Sequence, residues 1–116
     1  MNILFDHCVP KKLRRYLQPL FVKTTREMGW EELKNGRLLT EAEQAFDVMI
    51  TVDTNMTYQQ RLPNYDIALI VLHSLSNKTE ALSELVPDIL TALPTMQSGM
   101  IIKLATVAYL KHKGTP

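Results

Sequence analysis

Asp6 and Asp53 are the residues whose placement first suggests chemistry. Each closes a short apolar run, Ile3-Leu4-Phe5 before the first and Val48-Met49-Ile50-Thr51-Val52 before the second. Such runs read as buried parallel strands that hand over to a loop, and in open α/β sheets ligands bind in the crevice outside the carboxyl ends of the strands. Two carboxylates at two such ends can converge on one cation or one phosphate. Mg²⁺ and Mn²⁺ prefer hard oxygen ligands, and a bound metal activates water and neutralises phosphate charge, which is the chemistry of phosphodiester hydrolysis. The bland alternative is an aspartate that caps the following loop through its own hydrogen bonds. Pairing of the two acids at equivalent strand ends weighs toward a shared site.

Other residues offer weaker chemistry. Lys34-Asn35-Gly36-Arg37 precedes a helical pattern, and two cations beside backbone N–H groups suit a phosphate as well as they suit a solvated cap and tight turn. Asn55, Tyr58, Gln59 and Gln60 have the hydrogen-bonding and stacking groups of an RNA groove, or of an ordinary polar loop and helix surface. Lys11, Lys12, Arg14 and Arg15 can track a phosphate backbone, although four such residues on an amphipathic helix are more often its solvated face. His7 adjoins Asp6 and His73 ends a strand-like run, but a histidine without a catalytic task is the stronger prior for both. Cys8 is the single cysteine, which excludes an intramolecular disulfide and leaves no cysteine–histidine cluster with zinc spacing. Trp30 reads as a partly buried core residue.

The elements that must position these groups alternate between strand and helix, the sign of βαβ units around a parallel sheet. A first strand spans 2–5. After Pro10, the stripe Leu13, Tyr16, Leu17 and Leu20 predicts a helix. A second strand is expected over 21–25, followed by one helical turn closed at Gly29. Leu38, Leu39, Ala42, Ala45 and Phe46 then take helical spacing, with Asn35 as the N-cap. Strands follow over 48–52 and 67–72, with a loop and short helix over 54–61 between them. Asn77 with Glu80 resembles a capping box, opening a helical pattern from Leu82 to Leu93 that Pro87 should kink or split. Residues 100–104 predict a last edge strand interrupted by Lys103, and the residues beyond 107, His112 among them, a flexible tail.

Composition bounds the answer. A chain of 116 residues with 46% apolar and 22% charged residues fits one globular domain, over 1–107. Thirteen basic against 12 acidic residues leave a net charge of +1, so global electrostatics demand no nucleic-acid partner. No apolar stretch reaches the roughly 18 residues of a membrane span, and the first residues read as a strand, so a cytoplasmic protein without membrane association is the expectation.

Several ordered blocks resemble a known family. Ile3-Leu4-Phe5-Asp6-His7 with Val9-Pro10, Thr25-Arg26-Glu27-Met28-Gly29-Trp30, Leu33-Lys34-Asn35-Gly36, Phe46-Asp47-Val48, Thr51-Val52-Asp53-Thr54-Asn55, Tyr58-Gln59-Gln60 and Ile70-Val71-Leu72 are similar to the DUF5615 PIN-like family, over residues 2–104. The resemblance implies a PIN-like three-layer α/β/α fold with a mainly parallel sheet of four to five strands. It further implies kinship with Mg²⁺- or Mn²⁺-dependent endoribonucleases that act as toxins, with RNA as substrate and a small antitoxin protein as partner. A homodimer is a further option. By the same resemblance Asp6 and Asp53 match catalytic, metal-binding acids.

The chain departs from the family at two places. Arg37 stands where relatives carry Glu in an Asn-Gly-Glu-Leu-Leu block; Glu41, one helical turn later, is the substitute metal ligand, with Glu43 the weaker candidate. Asn55 stands where a further acid is expected and offers a carbonyl oxygen without charge. Three readings stay open: a metal-dependent endoribonuclease toxin with Lys34, Asn35, Arg37, Tyr58 and Gln59 on the RNA; a degenerate PIN-like protein that binds nucleic acid or an antitoxin without hydrolysis; and a protein-interaction module.

Overall fold

The computed structural model describes residues 1–54 and 56–116, with Met56, Thr57 and Tyr58 described as backbone alone. Five strands, β1 (Asn2–Phe5), β2 (Phe21–Thr24), β3 (Val48–Thr51), β4 (Ala68–His73) and β5 (Ile101–Ala105), form one sheet in the order β2-β1-β3-β4-β5. Every pairing is parallel. The runs are continuously apolar because both faces of the sheet are covered and successive side chains alternate between them. Ile3, Phe5, Val48, Ile50, Ile70 and Leu72 enter one core, with Leu13, Leu17, Leu82, Leu85 and Ile89. Leu4, Met49, Leu69 and Val71 enter the other, with Leu38, Leu39, Ala42 and Phe46. Trp30 packs edge-on against Phe46 at 6.0 Å between ring centroids, in line with a core role.

From β1 the chain first adds β2 on one side, then crosses to place β3 on the other and grows outward through β4 and β5. The reversal opens a crevice at the carboxyl ends of β1 and β3, where α/β sheets bind ligands. Register keeps those ends level, since Phe5 pairs with Ile50, and Asp6 N–H donates to Ile50 O at 3.0 Å. β5 is an edge strand with Lys103 exposed, as expected.

The helices depart from expectation in instructive ways. Residues Lys11–Leu17 form a 3-10 helix, ended where Gln18 precedes Pro19, and only Leu13 and Leu17 of the expected stripe are buried; Tyr16 is exposed. Asn35 is not an N-cap. Lys34 holds that position without a side-chain cap bond, and Asn35 has φ 50°, a left-handed conformation that asparagine tolerates, at the first residue of α1 (Asn35–Ala42). Nor is Asn77 the N-cap of α3 (Thr79–Leu82): Lys78 holds that position, without a side-chain cap bond. The helical run does split near Pro87, which sits in the first turn of α4 (Val86–Ala92), where its missing N–H costs nothing. Between α1 and these lies α2 (Met56–Arg61). The segment expected as a tail carries α5 (Val107–Lys113), because Thr106 accepts a hydrogen bond from Tyr109 N–H at 3.2 Å and three basic residues complement its last turn. No helix among the described residues is long and apolar enough to cross a membrane.

The basic face of the first helix is partly committed. Arg14 donates to Glu27 Oε1 at 2.7 Å and to Val22 O at 3.2 Å, and Lys11 lies 3.5 Å from Glu27. Thr24 N–H also donates to Glu27, and these groups hold its carboxyl down at about 2, against 4.5 ordinarily. The unfolded chain therefore takes up this proton first, so the stabilisation is complete above about pH 4.5 and is lost as pH falls toward 2. Thermal melts between pH 5 and pH 2.5 should show a shallower acid loss for Glu27→Gln than for the parent, with lower stability of the variant at pH 7.

Candidate active site

The site is built on two strand ends joined by one hydroxyl. Asp6, 5% exposed, follows β1, and its carboxylate accepts two hydrogen bonds: His7 N–H at 2.8 Å on Oδ1 and the Thr51 hydroxyl at 2.8 Å on Oδ2. Thr51 ends β3 with no solvent exposure, and the same hydroxyl accepts from Asp53 N–H at 2.9 Å. Thr51 thus fixes the Asp6 carboxylate against the backbone that presents Asp53. Asp53 itself is exposed.

A second set of bonds brings the loop before α1 over these acids. Leu33 O lies 3.0 Å from His7 Nε2 and accepts its proton; Nδ1 then accepts from the Thr25 hydroxyl at 3.0 Å. His7 therefore ties the end of β1 to the end of β2 and to the loop that carries Lys34 and Asn35. Gly36 allows close approach on the other side of that loop, since a Cβ there would come within 3.0 Å of both Arg61 Nη1 and the Tyr65 hydroxyl.

The result is a crevice of about 450 Å³ lined by Asp6, His7, Cys8, Lys34, Asn35, Val52, Asp53 and Asn77. Four residues expected at the site meet here: Asp6, Asp53, Lys34 and Asn35. Arg37 and Glu41 do not. They share one face of α1, but that face lines a separate depression with Leu33 and Thr40. Glu43 lies at the opposite, amino-terminal end of the strands, where it accepts from Asp66 N–H at 2.8 Å. Gln59 is half-buried on α2 and is not among the described residues lining the crevice. Asn55 lies outside the described residues, as does the side chain of Tyr58.

Two residues that shape the site went unread in the sequence, Thr51 buried beneath the crevice and Asn77 in its lining. Thr51 had a signal, a hydroxyl at the end of a run that is otherwise apolar and fully buried. Asn77 reads locally as a helix cap, and only the tertiary fold brings it beside Asp53.

Among the described residues no group of three or more His, Cys, Asp or Glu is arranged to hold a metal ion. The two acids in the crevice, one of them already accepting two hydrogen bonds, are not a closed cation cage. They do fit the Mg²⁺ pattern of one or two protein carboxylates completed by waters and substrate phosphate oxygens. Lys34 adds a positive charge on the same wall, suited to a phosphodiester. Comparison with protein-family models, curated proteins and solved structures found no match to this chain.

Proposed function

We propose that the chain is a metal-dependent endoribonuclease of the PIN-like type, a three-layer α/β/α domain acting in the cytoplasm as the toxin of a toxin–antitoxin pair. The observation that supports this is the convergence of Asp6 and Asp53 with Lys34 at the switch point of a parallel sheet. In this reading Asp6 and Asp53 hold Mg²⁺ or Mn²⁺ together with the RNA phosphate. The metal supplies an activated water and neutralises charge on the phosphate. Lys34 and Asn35 orient the phosphate, Thr51 holds Asp6 in one rotamer, and His7 fixes the loop bearing Lys34.

A labelled RNA pool incubated with the protein and Mn²⁺ or Mg²⁺ should be cleaved. The Asp6→Asn/Asp53→Asn variant should lose at least about 100-fold of that rate, and EDTA should abolish it. One observation favours a second reading, in which the crevice binds nucleic acid or an antitoxin without hydrolysis: Glu41, the substitute third acid, lies outside the crevice. RNA retention that survives EDTA, with no cleavage under either metal, selects it.

A further inference from the structure

His73 ends β4 and is 5% exposed, and among the described residues neither of its ring nitrogens has a hydrogen-bond partner. A buried polar group left in that state costs stability, so it calls for an explanation in ligand or function. His73 lines a cavity of about 420 Å³, together with Thr54, Ser74, Asn77, Tyr109 and Lys113. This cavity adjoins the acid crevice, because Val52 and Asn77 line both. Its volume is that of a small-molecule site. Its outer wall is α5, which carries no buried residue and contributes Tyr109, whose ring meets His73 edge-on at 5.2 Å. α5 is pinned at its start, where Val107 N–H donates to Glu84 Oε2 at 2.8 Å, but the turn bearing Tyr109 and Lys113 buries no residue, so a small displacement of that turn is what would admit a ligand to the imidazole.

We propose that this cavity is a nucleotide subsite, which receives the base of the nucleotide next to the phosphate held at Asp6 and Asp53. The assignment rests on the RNA reading of the crevice and adds its recognition element. A neutral imidazole offers one donor and one acceptor, the complement of a nucleobase edge, and Tyr109 offers an aromatic face. Lys113 supplies a charge for the adjoining phosphate, and Thr54, Ser74 and Asn77 supply polar contacts to the sugar.

The test is titration of the metal-free protein with the four ribonucleoside 5′-monophosphates and with uncleavable 2′-O-methyl tetranucleotides, following the histidine ring resonances by NMR. The His73 signal is the one missing from His73→Phe. At least one monophosphate should shift His73, and a tetranucleotide should shift His73 and His7 together. Affinity should fall about tenfold in His73→Phe, with the base preference flattened, and less in Lys113→Ala. A His73 signal that no nucleotide moves overturns the subsite, as does a response to monophosphates that the tetranucleotides fail to reproduce. Cleavage with a silent His73 leaves the nuclease reading standing and removes the subsite. A responsive His73 in a protein that cleaves nothing does the reverse.

Discussion

On the nuclease reading proposed above, replacing Thr51 by valine is expected to lower metal-dependent RNA cleavage by about 10- to 100-fold, the usual cost of removing a group that orients a metal-binding carboxylate. Valine keeps the volume and β-branching that β3 needs but removes the hydroxyl between Asp6 Oδ2 and Asp53 N–H. Asp6 is 5% exposed, so an oxygen that loses its donor there is poorly compensated by solvent, and the fold should lose about 1 to 3 kcal/mol. Thr51→Ser retains both bonds and should recover most of the rate. A purely structural role for Thr51 would lower thermal stability without moving the Mn²⁺ concentration at half-maximal rate. Loss of orientation moves that concentration upward. Circular dichroism on the same samples separates the effects.

The strands were legible because their signal is local. β1, β3 and β4 are apolar runs that only a sheet covered on both faces explains, and Lys103 marked β5 as an edge. From those strands the meeting of Asp6 and Asp53 followed, since parallel strands put their carboxyl ends on one side. Arg37 and Glu41 show where sequence spacing stops. Four residues apart, they share a helix face, as their spacing requires. Which way that face looks depends on how Leu38, Leu39 and Ala42 seat α1 on the sheet and on the left-handed turn at Asn35, both of which are tertiary facts. The caps at Asn35 and Asn77 failed for a related reason. Asparagine satisfies backbone groups in several conformations, so its presence marks a turn without saying which residue begins the helix. The 3-10 geometry of Lys11–Leu17 was hidden because Leu13 and Leu17 have the spacing of an ordinary α-helix.

Acidification below about pH 6.5 is expected to destabilise the protein through His73, well above the range in which Glu27 acts. Burial pushes the His73 imidazole below its ordinary 6.5, and the charge of Lys103 on β5 adds to the effect. Tyr109 and Lys113, which line the same cavity from α5, bring no negative charge to offset it. The unfolded chain, where His73 titrates near 6.5, thus binds a proton that the folded chain refuses, so stability falls as pH drops through 6.5 until the folded-state pKa is reached. His73→Leu removes this slope, which identifies His73 against His7 and His112, and it should raise stability at pH 7.5 by about 1 kcal/mol through loss of the unsatisfied nitrogens, net of the ring contact with Tyr109. Urea unfolding of parent and variant at pH 7.5 and pH 5.5 measures both effects; equal slopes would remove His73 as the sensing group. A stability gain on removing an imidazole is the pattern expected of a residue held for binding, because a group that awaits a ligand stays unsatisfied in the ligand-free fold.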